Sequence, residues 1–129
     1  MVRYGARSST GQQIERYLRH MGVNPLPRYE CDSTDALLSV VSSGQGWAIT
    51  TPLCLWQARH FLSLLSVVPL ADTALGRGDF YLLSRRGESL RLDTEIVRIL
   101  RHVMEATVIP AIREAIPELG ADPVRFPPD

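Results

Sequence analysis

Two short stretches hold the side chains best suited to grip a small anion. The first is Arg7-Ser8-Ser9-Thr10, a cation beside three hydroxyls at the start of an amphipathic segment. A helix beginning there offers free backbone N–H groups and the positive end of its dipole, which suits a carboxylate. The second is Thr50-Thr51-Pro52, which closes a β-branched, apolar run just ahead of another helical segment. Both stretches also fit purely structural roles, Ser9 as a helix cap and the threonines as strand formers.

No catalytic arrangement accompanies them. The sequence lacks a Gly-x-Ser-x-Gly elbow, a phosphate-binding loop and a His-Glu-x-x-His pair. Gly44-Gln45-Gly46 is missing the third glycine of a dinucleotide fingerprint and precedes a strand instead of following one. Cys31 and Cys54 show no metal-ligand spacing and read as reduced, buried small hydrophobes. His20, His60 and His102 are scattered and read as surface residues. Neither an enzyme nor a metal or other cofactor is expected. The 14 basic side chains, all arginine, balance 14 acidic ones, so no basic excess is available to collect nucleic-acid phosphates. No apolar signal core or membrane span is visible in the 129 residues, and a cytoplasmic protein is the default.

The elements that must position these residues follow from spacing. Residues 1–5 read as a strand. Ser9 and Gln12 fit a capping box ahead of a helix carrying Ile14, Tyr17, Leu18 and Met21, which Gly22 stops. Residues 28–32 form a second strand, with Asp32 or Ser33 capping a helix whose apolar face is Ala36, Leu37, Val40 and Val41. Gly44 ends it in a left-handed conformation. Trp47–Thr51 suits a third strand buried on both faces, and Pro52 opens a short helix to about His60. Residues 64–70 and 80–85 read as fourth and fifth strands. Asp93 caps the longest helix, with a stripe of Ile96, Ile99, Leu100, Val103 and Met104, and Pro110 ends or kinks it. Strands and helices in this alternation predict an α/β fold, a mostly parallel sheet with flanking helices.

The order of the pieces resembles one family. They are Tyr4-Gly5-Ala6-Arg7-Ser8-Ser9-Thr10-Gly11 with its helix ending in Met21-Gly22-Val23-Asn24-Pro25, and the run Leu37 to Gly46. Trp47-Ala48-Ile49-Thr50-Thr51-Pro52 follows, then Val67-Val68-Pro69-Leu70 and the strand Phe80 to Arg86. Together they look like the effector-binding domain of LysR-type transcriptional regulators. That resemblance implies a type 2 periplasmic-binding-protein-like half domain plus a C-terminal helix. Residues 1–82 would be its second subdomain, 83–116 a return segment completing the first, and 117–129 a loose tail. It implies that Arg7, Ser8, Ser9, Thr10, Thr50, Thr51 and Pro52 line half of a cleft for a small, anionic effector. It also implies that DNA contact lies outside this chain, and that the helix after Asp93 normally packs on a sheet these residues do not supply. Self-association or a homo-oligomer is therefore expected. A solute-binding protein of the same fold, a small α/β enzyme and a non-functional remnant of a regulator gene are the competing readings.

Overall fold

The computed structural model describes residues 1–70, 81–85, 90–120, 123, 124 and 126. The chain divides into two compact units, residues 1–77 and 78–129.

In the first unit, strand β1 (Val2–Tyr4) leads through a four-residue turn into helix α1 (Ser9–His20). Strand β2 (Tyr29–Cys31) then lies parallel to β1, with Val2 beside Tyr29, Arg3 beside Glu30 and Tyr4 beside Cys31. Helix α2 (Thr34–Ser42), helix α3 (Pro52–Gln57) and a 3-10 turn (Arg59–Leu64) follow. The apolar face of α1, made of Ile14, Tyr17 and Leu18, is buried, as are Val2, Tyr4, Leu37, Leu38, Leu55 and Ala58. Spacings of three and four residues put these side chains on single helix faces, so each helix presents one apolar stripe to the core.

Two helices end in the same way for the same reason. Gly22 (φ +67°) and Gly44 (φ +79°) take the left-handed conformation that a side chain disfavours. In each case the next two N–H groups turn back onto the last carbonyls: Gly22 to Arg19 and Val23 to Leu18, Gly44 to Val41 and Gln45 to Val40.

The α/β character stands, but the described sheet has two strands where more were expected. Trp47–Thr51 is not a ladder strand. It contributes one bond to β1, from the Val2 N–H to the Trp47 carbonyl at 2.8 Å. Gly46 (φ +141°) turns the chain just ahead of it, and Thr51 is engaged as a helix cap. Trp47 is half exposed, not core. In the 64–70 segment, the 3-10 turn consumes Leu64, and residues 65–70 form no strand. Residues 81–85 carry no regular structure and lie exposed; Phe80 falls outside the described residues. Apolar, β-branched composition marks a segment able to pair, but a strand also needs a neighbour to pair with. Cys31 and Cys54 are free thiols and only partly buried.

The second unit is mainly helical. Helix α4 (Leu90–Val103) starts before Asp93, which is therefore not its cap; its carboxylate accepts from the Ser84 hydroxyl at 2.6 Å. A π-helical turn (Met104–Val108) joins α4 to helix α5 (Ile109–Ala115), and a 3-10 turn (Pro117–Leu119) ends the helical stretch. Pro110, expected to end or kink the helix, sits in the first turn of α5 with the π turn just ahead of it. Its ring would clash with the carbonyl four residues back and it has no N–H to donate. The wider turn accommodates both defects.

Arg3 braces the first unit. Its Nε and Nη2 donate to the Glu30 carboxylate at 3.0 and 2.7 Å, and its Nη1 lies 3.6 Å from Glu15 of α1. The bond from Arg3, with the Ala6 N–H second, holds the Glu30 carboxyl below its ordinary value of 4.5. A lowered acid contributes stability above its unfolded pKa and loses it as pH falls through the folded value. Glu30→Gln is therefore expected to flatten the acid limb of the stability profile, measured by urea unfolding from neutral pH downward. An unchanged acid limb would show that the pair contributes nothing.

Candidate functional site

The carboxyl end of the parallel pair is where a two-layer α/β unit leaves its helix starts. β1 ends at Tyr4, and residues 5–8 turn the chain into α1. The Gly5 N–H donates to the Cys31 carbonyl at 2.9 Å, continuing the strand pairing one residue into the turn. The Ser8 N–H then donates to the Gly5 carbonyl at 3.0 Å.

The cap of α1 is Ser8, one residue earlier than the sequence pattern placed it. Its hydroxyl oxygen accepts from the Gly11 N–H at 2.9 Å, and Ser9 is the first helical residue. The Gln12 amide reaches the Ala6 carbonyl at 3.3 Å, not the backbone of the cap. The expected capping box of Ser9 and Gln12 does not form: three residues after the Ser8 cap stands Gly11, which has no side chain to reach back. Ser33 caps α2 by accepting from the Ala36 N–H at 3.2 Å. Thr51 caps α3 by accepting from the Cys54 N–H at 3.2 Å, with Pro52 as the first helical residue.

Tyr4 ties these starts together. It is buried, and its hydroxyl lies 2.7 Å from the Thr50 hydroxyl and 3.1 Å from that of Thr34, the first residue of α2. Burial pushes the Tyr4 phenol above its ordinary value of 10.0, against the opposing pull of the bonds from Thr34 and Thr50. Thr34 belongs to no motif, and the run that begins at Tyr4 assigned its hydroxyl no role. The available signal was that a tyrosine on the inner face of a strand must find a partner for its hydroxyl.

Gly11 is a second residue that the sequence pattern passed over. A Cβ there would stand 2.5 Å from the Gly5 carbonyl oxygen and 2.8 Å from the Ser8 hydroxyl. The bare α-carbon is what lets the helix start sit against the β1 turn. A glycine in the third position of a helix, where alanine is intrinsically better, was its signal.

Of the seven residues expected to line a site, Pro52 opens α3 and the other six divide into two kinds. Ser8, Thr50 and Thr51 each hold a structural bond, while Arg7, Ser9 and Thr10 have no side-chain partner among the described residues. Arg7 and Ser9 are exposed; Ser8, Thr10, Thr50, Thr51 and Pro52 are partly buried. Thr50 is brought to the end of β1 by Tyr4, so one network spans the sheet end, α2 and the approach to α3. Among the described residues, no group of three His, Cys, Asp or Glu side chains could hold a metal ion. His60 lies 3.5 Å from Asp35, a contact between the 3-10 turn and α2 that spacing did not reveal.

Residues 1–107 match the family described as LysR substrate binding domain. The chain belongs to that family. A LysR substrate binding domain is the effector-binding portion of a LysR-type transcriptional regulator, a regulatory unit and not a catalytic family. Its fold is periplasmic-binding-protein-like, of which the described residues show the two-stranded parallel core and its helices. No curated protein and no solved structure matches the chain. Among the described residues, no helix is long and apolar enough to cross a membrane.

Two substitutions probe how this end of the LysR substrate binding domain is built. Gly11→Ala gains about 1 kcal/mol of helix propensity, but overpacking against backbone costs about 1–3 kcal/mol. Net destabilisation is expected by chemical denaturation, and a stabilised variant would show that the turn can move aside freely. Tyr4→Phe strands two partly buried hydroxyls and is expected to cost about 1 kcal/mol at neutral pH. Because the Tyr4 pKa is raised in the folded state, its contribution is present below pH 10.0 and lost as pH rises through the folded value. The phenylalanine variant should therefore lose stability less steeply in alkaline urea titrations.

Proposed function

We propose that this chain senses a small anion at the Arg7–Thr10 turn, with Thr50-Thr51-Pro52 forming the other part of the same wall. The observation that carries the reading is the direction of the cap bonds. Ser8 and Thr51 both accept through their hydroxyl oxygens, which leaves each O–H to donate outward. The N–H groups of Ser9 and Thr10 have no backbone acceptor among the described residues, as the first turn of a helix requires. Arg7 adds a positive charge and the first turn of α1 contains no acid, while the Glu30 and Asp32 carboxylates lie on the Gly5–Ala6 side of the preceding turn. Donors without acceptors, at the positive end of a twelve-residue helix, favour a carboxylate.

In this reading residues 1–82 are one subdomain of the effector-binding domain and 83–116 return to complete the other. The bound anion prefers one state of the regulator, which passes that preference to DNA-binding domains through its oligomer. A ligand with no such preference would switch nothing. The balanced charge of the chain is consistent with leaving phosphate contact to those other domains. The protein acts in the cytoplasm, where its DNA target lies.

The test is an amide-resolved NMR titration of the 129-residue chain with succinate, benzoate and inorganic sulfate. Weak binding is expected, with the largest shifts at Ser9, Thr10 and Gly11. Arg7→Ala should weaken it about tenfold, the loss of one charge-assisted hydrogen bond. Shifts that fall elsewhere, or that ignore the Arg7 substitution, would sink the proposal.

A further inference from the structure

We propose that the groove at the carboxyl end of α1 binds a free α-amino acid with an apolar side chain. The inference is independent of the anion site, which lies at the other end of the same helix. The two ends of this twelve-residue helix are about 18 Å apart. The groove encloses about 410 Å³, within the range of about 300–1,000 Å³ typical of small-molecule sites. Its lining is of two kinds. Leu18, Val23, Pro25 and Pro27 supply an apolar wall, and Arg3, Glu15 and Arg19 supply charge. The wall is built without a ligand. Gly22 takes a left-handed turn (φ +67°), and the Val23 N–H closes on the Leu18 carbonyl at 3.0 Å. The two prolines fix their own φ. Val23 is half exposed, leaving apolar surface for a ligand side chain to cover.

Charge decides the class of ligand. Glu15 and Arg19 stand one turn apart on α1, a spacing at which an acid and a base ordinarily pair. Here they do not. Glu15 faces Arg3 instead, at 3.6 Å, and Arg19 has no side-chain partner among the described residues. Arg3 is shared between Glu15 and Glu30, which stands behind it and outside the lining. Two guanidinium groups and two carboxylates therefore balance here. A simple anion would meet Glu15, and a simple cation would meet Arg19. A molecule carrying both charges satisfies both, with its carboxylate on Arg19 and its ammonium on Glu15. The carbonyl end of α1 borders the groove and adds to the attraction for the ammonium. Arg16, His20, Arg28 and the Met1 ammonium lie outside the lining. The ligand side chain then lies along Leu18, Val23 and the two prolines.

The test is amide-resolved NMR of the full chain titrated with L-leucine, isocaproate and L-leucinamide. Isocaproate lacks the ammonium, and leucinamide lacks the carboxylate. Binding is read at the Gly22, Val23 and Asn24 amides, where leucine should cause its largest shifts. Leucine should bind there about tenfold more tightly than either analogue, the worth of one charge-assisted hydrogen bond. Arg19→Gln should abolish the preference over leucinamide, and Glu15→Gln the preference over isocaproate. The comparison of the three ligands on the unsubstituted chain decides even where a variant misfolds. Absence of leucine shifts at the three amides, or equal binding of either analogue, would overturn the proposal. So would a preference that survives the matching substitution in a folded variant, or leucine shifts confined to Ser9, Thr10 and Gly11.

Discussion

The Tyr4 hydroxyl is the point on which the first unit turns. A buried phenol in the middle of a core must hydrogen-bond or forfeit the full cost of desolvation. Here its two partners come from different parts of the chain, Thr34 at the start of α2 and Thr50 on the approach to α3. One side chain thus fixes where two helices begin relative to the end of β1. The two-stranded sheet could not do this alone, since an isolated strand pair is marginal in water. The close approach of Gly11 to Gly5 does the same for α1 by geometry instead of hydrogen bonding.

This division explains what was legible in the sequence. Helices declared themselves because their signals are local: apolar spacing, a hydroxyl before the first turn, a glycine after the last. Gly22, Gly44, Ser33 and Pro52 all act as the pattern implied. The Ser9 cap missed by one residue because three hydroxyls in succession offer equivalent chemistry, and only the packing of Gly11 selects Ser8. Strands were harder. Residues 29–31 pair because β1 lies beside them, whereas 65–70 and 81–85 have strand composition and no described neighbour. Tyr4 and Thr34 escaped notice because their meeting spans thirty residues. The family was readable from the order of degenerate motifs, none of which was informative alone.

The helix caps and the proposed anion site draw on one property of hydroxyl groups. A serine that accepts from a backbone N–H still has a proton to give, so satisfying the helix does not exhaust it. A carboxylate in the same place would satisfy the helix equally well and repel the ligand. In the proposed site the two roles would coincide at the first turn of α1, which carries no acid of its own.

Pro110 has a consequence for how the second unit is built. Helical cooperativity travels along an unbroken ladder of backbone bonds, and a residue that cannot donate interrupts it. The π turn at Met104–Val108 keeps the path of the chain helical without restoring that ladder. α4 and α5 are thus continuous in shape, with a break in the regular ladder of backbone bonds between them. Among the described residues, the side chains that the second unit buries, Ile109, Ile112 and Ile116, all lie beyond that break.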